Sequence, residues 1–223
     1  MNLILIATFI VYLINVNILY FVLMDVRFKL ASNIVIVGPS QAGKTTFVNE
    51  LIKHRDILFN PKPQRVLWCN GNGVENSLAT LNINGLPPLD LIKPYDMIVL
   101  DDLFLEASES QSVSKLFTKY AHHKPCCVVF LTQNLFYQSK QQRNRALNTH
   151  YLILFKNPRD STAIQYISHQ MGTKVLKEIY REATLKPHSY LLIDFHQSTP
   201  DEIRFRTNVL PSEYPPTVYV VNK

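Results

Sequence analysis

Residues 33–48 read NIVIVGPSQAGKTTFV, and this stretch decides the fold. Residues 33–37 form a short apolar run of strand length, and residues 45–54 have the apolar spacing of a helix. Between them Gly38, Pro39, Ser40, Gln41, Ala42, Gly43, Lys44 and Thr45 match G-x-x-x-x-G-K-[ST], the pattern of a phosphate-binding loop. Strand, loop and helix in this order aim the N–H groups of the helix start at an anion. Glycine allows main-chain positions that a side chain would block. Lys44 is placed to meet the β- and γ-phosphates, the Thr45 hydroxyl to hold Mg²⁺, and Thr46 to close the nucleotide-binding set. Two of the chain's six glycines fall in these eight positions, which sets the motif apart from an ordinary Gly-containing turn.

Further along, Met97-Ile98-Val99-Leu100 is a buried-type strand that ends in Asp101 and Asp102. With a phosphate loop upstream, Asp101 is expected to hold the metal from outside its directly bound oxygens. Asp102 then sits where a general base acts on the attacking water, although a helix cap after the strand would also explain it. The next apolar run ends in Thr132-Gln133-Asn134. In a parallel sheet such ends face the ligand, so Gln133 or Asn134 is a candidate sensor of the γ-phosphate, against plain turn chemistry. Arg143, Arg145 and Arg159 surround one strand. Any of them is a candidate arginine finger or DNA-phosphate contact, and solvated loop charge is the alternative.

Strand and helix signals alternate through the chain, as in an α/β domain. Strands are predicted at 65–69, 126–131, 151–155 and 190–194, and helices at 110–123, 161–170 and 173–184. The last stretch, with Pro200, Pro211, Pro215 and Pro216, reads as a tail packed along the body or mobile. Residues 25–211 are assigned to the ATP-binding domain and 212–223 to the C-terminal tail. Residues 3–24 carry no formal side-chain charge, span roughly 33 Å as a helix, and are followed by Arg27 and Lys29. Residues 1–24 are therefore read as a transmembrane anchor with membrane contact, or as a reading-frame extension ahead of a start at Met24.

Charge is unevenly placed. Through Ser114 there are 8 Lys/Arg against 10 Asp/Glu, and from Lys115 onward 15 against 7. The basic half is where a polyanion would lie. Cys69, Cys126 and Cys127 are an odd set without ligand spacing, which argues against a disulfide framework and for a reducing compartment.

Taken in order, IVIVGPSQAGKTTFV, VLWCN, IVLDDLF, VVFLTQNLFYQ, RNRALNTHYLILFKNPRD and YLLIDFHQST with DEIRFRT resemble the FtsK–HerA-type DNA-packaging ATPases. The relatives meant are those of Polinton/Maverick elements, adintoviruses and related large DNA viruses. The resemblance runs from Phe28 to Pro211. It implies a RecA/ASCE-like, mainly parallel sheet flanked by helices, with ATP and Mg²⁺ as cofactors. It also implies a homo-oligomeric ring, hexamer or pentamer, that threads double-stranded DNA into a capsid through a vertex or portal-like protein. Lys44 and Thr45 go to ATP and Mg²⁺ on this reading, Asp101 and Asp102 to metal and water, and Gln133 to the sensor. The expected location is intracellular, in the nucleus or a viral factory, or at a membrane if the leader is an anchor. Two departures stand out: Asp102 replaces the Glu of many relatives, and the apolar leader lies outside the family pattern. The competing readings are a small-molecule (nucleotide) kinase and a membrane-tethered relative that binds ATP without hydrolysing it. No Asn-Lys-x-Asp run suggests a GTPase.

Overall fold

Apolar runs of five or six residues become central strands because helices cover both of their faces. The computed structural model describes residues 10–13 (as backbone), 25–103, 116, 125–135, 148–159, 161–213 and 215–221. The elements begin with β1 (Ile10–Leu13), β2 (Phe28–Lys29) and β3 (Ser32–Val37). Next come α1 (Lys44–Lys53), α2 (Arg55–Leu58), β4 (Phe59–Asn60), β5 (Val66–Asn70) and β6 (Leu81–Asn84). They are followed by α3 (Leu89–Ile92), β7 (Met97–Asp101), β8 (Cys127–Thr132) and β9 (Tyr151–Phe155). The last are α4 (Thr162–Gln170), α5 (Leu176–Ala183), β10 (Tyr190–Asp194), β11 (Phe205–Thr207) and β12 (Thr217–Val220).

Among the described residues ten strands form one sheet, in the order β1-β12-β11-β10-β9-β3-β8-β7-β5-β6. From β9 to β6 every pairing is parallel. β10, β11 and β12 add an antiparallel flank. The fold is thus α/β with a mainly parallel sheet. Alternation along each strand divides the core into two layers. Ile34, Ile36, Trp68, Val99, Val129 and Ile153 pack with Phe47, Val48, Leu51 and Ile52 of α1. Val35, Val37, Ile98, Leu100, Val128 and Leu152 pack on the other face, with Ile164 and Ile167 of α4 and Leu176 and Ile179 of α5. β8 lies between β3 and β7, so the phosphate-loop strand and the acid-tipped strand end side by side with one strand between them.

The helix predicted over 110–123 lies outside the described residues except for Leu116, which is buried in the second layer. The proline-bearing last stretch is not only a tail: β11 and β12 hydrogen-bond into the sheet, because the strand residues lie clear of the prolines, β11 between Pro200 and Pro211 and β12 after Pro216. The membrane-helix expectation falls on residues 3–24, of which only Ile10–Leu13 are described. Those four form a strand parallel to β12 rather than a turn of helix. Among the described residues no helix is long and apolar enough to cross a membrane.

All three cysteines are free and buried. Burial pushes the Cys69 thiol up to about 12 and the Cys127 thiol further up, which holds both as inert thiols.

Candidate nucleotide site

The loop between β3 and α1 starts where two parallel strands end together. Gly38 N–H donates to the Thr132 carbonyl at 3.2 Å, tying the loop to the end of β8. A Cβ on Gly38 would lie 2.7 Å from Phe155 Cβ, so only glycine lets the chain pass β9 at this point. Gly43, at φ 101°, caps α1, and Phe47 N–H returns to its carbonyl at 2.9 Å. Ser40, Gln41, Thr45 and Thr46 are exposed on the loop, while Pro39, Ala42 and Lys44 are half-buried.

Lys44 Nζ donates to the carbonyls of Gly38 at 2.7 Å and Pro39 at 2.9 Å. These bonds pin the ammonium at the mouth of the loop and leave a third N–H for an incoming oxygen. Burial lowers the Lys44 pKa, while Asp101 and Asp102 act to raise it. The Thr45 hydroxyl donates to Asp101 Oδ2 at 3.2 Å, so loop and acid strand meet across β8. Burial raises the Asp101 pKa; the Thr45 bond and Lys44 oppose this, and Asp102 adds to it. Two oxygen donors this close beside open solvent suit a small hard divalent cation that keeps several waters, as Mg²⁺ does.

Asp102 is exposed and left-handed, at φ 54°. The sequence reading missed the residue that allows this, Gly71. Its N–H donates to the Asp101 carbonyl at 3.3 Å, and a Cβ there would lie 2.6 Å from the Asp102 carbonyl oxygen. A glycine directly after a buried strand was the available signal. Gly71→Ala is expected to push Asp102 out of place. Hydrolysis should fall about tenfold or more, with stability lowered by about 1–3 kcal/mol, as measured by phosphate release and denaturant titration.

Gln133 is exposed at the end of β8 and lines a small cavity with Gly38, Leu154 and Asn157. Asn134 lies outside that lining, and its backbone is engaged with the Thr132 hydroxyl at 2.9 and 3.3 Å. Arg159 is exposed in the turn after β9, where its N–H donates to Asn157 Oδ1 at 3.1 Å. Arg143 and Arg145 lie outside the described residues. Sequence reasoning also missed His188, Tyr190 and Glu213, which reach the loop from the antiparallel flank.

A parallel sheet carrying a glycine loop, a lysine- and threonine-headed helix and an acid-tipped strand defines a P-loop NTPase fold. Solved structures show the same fold. The genome-packaging NTPase B204 of Sulfolobus turreted icosahedral virus 2, in complex with ATP-gammaS, matches at a TM-score of 0.52 and 14% identity. That match covers 76% of this chain and 95% of B204. The sulfate complex of the same protein gives 0.53 and 16%, over 75% and 93% of the two chains. At such identities the likeness is one of fold. No protein-family model and no curated protein matches the chain.

Proposed function

We propose that the chain is an ATPase that drives double-stranded DNA into the capsid of a virus or virus-like element. The observation that carries the proposal is the Thr45–Asp101 contact across β8, with Lys44 beside it. It joins a triphosphate cradle to a metal-holding acid, the arrangement that phosphoryl transfer needs. The packaging step is supported by the resemblance to FtsK–HerA-type ATPases, by the basic half of the chain and by the fold likeness to a viral genome-packaging NTPase.

In the mechanism we infer, the N–H groups of residues 43–46 receive the phosphate oxygens and Lys44 holds the β- and γ-phosphates. Thr45 would bind Mg²⁺ directly, with Asp101 outside it; bound there, Mg²⁺ neutralises charge on the transferring phosphoryl group. Asp102 accepts the proton of the attacking water, and Gln133 contacts the γ-phosphate. Arg143, Arg145 or Arg159 of a neighbouring subunit completes the site in a ring of five or six. The chain works inside the host cell, where its three buried thiols stay reduced.

A triplex-displacement assay tests the motor. The full chain with ATP is expected to strip a third strand from duplex DNA, and Asp102→Ala is expected to leave it bound. No displacement, together with phosphoryl transfer to nucleosides, would replace this reading with the kinase.

A further inference from the structure

The antiparallel flank brings a second segment to the nucleotide end of the sheet. β10 begins at Tyr190, paired with Phe155 at the end of β9. β11 ends at Thr207, whose hydroxyl donates to the Tyr190 carbonyl at 2.6 Å. The chain then packs Val209 and Leu210 into the same cluster as α1 and closes in the 3-10 turn Pro211–Glu213. Between this turn, the first turns of α1 and His188 lies a cavity of about 550 Å³ that opens onto the phosphate loop. Residues 41–47 line it and neither Asp101 nor Asp102 does, so it extends from the phosphate loop away from the acid pair. Its size suits a nucleoside.

The floor is aromatic: the Phe155 and Tyr190 rings lie 5.4 Å apart, and Phe47 packs edge-on against Tyr190 at 4.8 Å. His188, at φ 60°, places Nδ1 3.3 Å from the Ala42 carbonyl and closes the wall beside the loop. On the far wall Glu213 is pinned through one oxygen. Its Oε2 accepts from the Tyr190 hydroxyl at 2.5 Å and from Leu210 N–H at 3.3 Å. The other acid in the cavity, Glu50, is turned to Lys53 at 3.5 Å and His54 at 3.4 Å.

We infer that this cavity holds the nucleoside, and that Glu213 Oε1 selects adenine by accepting a hydrogen from its exocyclic amino group. This rests on the reading of residues 38–45 as a triphosphate site. A 6-oxo purine turns a carbonyl toward the carboxylate and is repelled. Guanine presented by its N1–H and amino edge needs both carboxylate oxygens, and Oε2 already has two donors.

The test is calorimetric binding of ATP, ITP, GTP and inorganic triphosphate, each with Mg²⁺, to the full chain. ATP is expected to bind about tenfold or more tighter than ITP, the span of one hydrogen bond to a charged group. Glu213→Gln keeps an acceptor for Tyr190 and can donate to a 6-oxo group, so it should narrow that ratio to about threefold or less. His188→Ala should weaken both nucleotides alike and leave the ratio in place. Equal binding of ATP and ITP by the unmodified chain, with triphosphate still bound, would overturn the inference and leave the phosphate-loop reading standing. GTP binding tighter than ATP would overturn it equally. If neither triphosphate nor any nucleotide binds, the phosphate-loop reading fails and takes the inference with it.

Discussion

The Lys44→Ala protein is expected to keep its fold and lose ATP hydrolysis by a factor of about 10²–10³. Lys44 puts a half-buried ammonium at the mouth of a loop whose other donors are main-chain N–H groups. Among the described residues no other lysine or arginine lines the cavity beside the loop. The substitution takes a donor from the buried Gly38 and the half-buried Pro39 carbonyls. Phosphate release measures the loss, and circular dichroism with a thermal melt checks the fold. Turnover within threefold of the unmodified chain would remove Lys44 from the site.

The second large effect is on stability. Asp194, at the end of β10, meets Arg206 of β11 at 2.5 Å, and both side chains are at most 5% exposed. Arg206 also donates to the Val26 carbonyl at 2.7 Å, while Asp194 accepts His196 N–H at 2.9 Å. The pair clamps the antiparallel flank to the chain entering β2. Asp194→Ala leaves a guanidinium buried without its counter-charge and is expected to lower the unfolding free energy by about 3–5 kcal/mol. For a chain of this length that means a fall of roughly 10 °C in melting temperature. Replacing both partners with apolar residues, Asp194→Leu with Arg206→Met, should recover much of the loss, since no charge is then left in the core. Denaturant titration of the three proteins decides it. A single substitution within 1 kcal/mol of the unmodified chain would mean that water reaches Arg206.

The parallel half of the fold was legible in the sequence because its strands are continuous apolar runs with covered faces. β9 coincides with its predicted span, as does β10 in the antiparallel flank, and β3, β5, β7 and β8 differ by a residue at one or both ends. β6 escaped because Leu81-Asn-Ile-Asn84 alternates with amides at the sheet edge and is only partly buried. β11 and β12 escaped because the prolines around them dominate local reading, while their pairing partners lie far off in the chain. Within the site, Lys44 and Thr45 could be read from the spacing of the loop motif, and Asp101 from its place at the end of an apolar strand. Gly71, His188 and Glu213 could not, since each is delivered by topology: one by a neighbouring parallel strand, two by the antiparallel flank. Asp102 was legible as a residue but not as a left-handed one, because that conformation depends on Gly71 across the strand gap.

Steady-state phosphate release from Mg²⁺-ATP by the full chain, with and without double-stranded DNA, beside Asp101→Asn, tests whether this site drives a DNA motor. The proposed function predicts turnover that rises with DNA and is lost by about 10² or more in the variant. Nucleotide bound with no phosphate released under either condition, or turnover unchanged by Asp101→Asn, would contradict it.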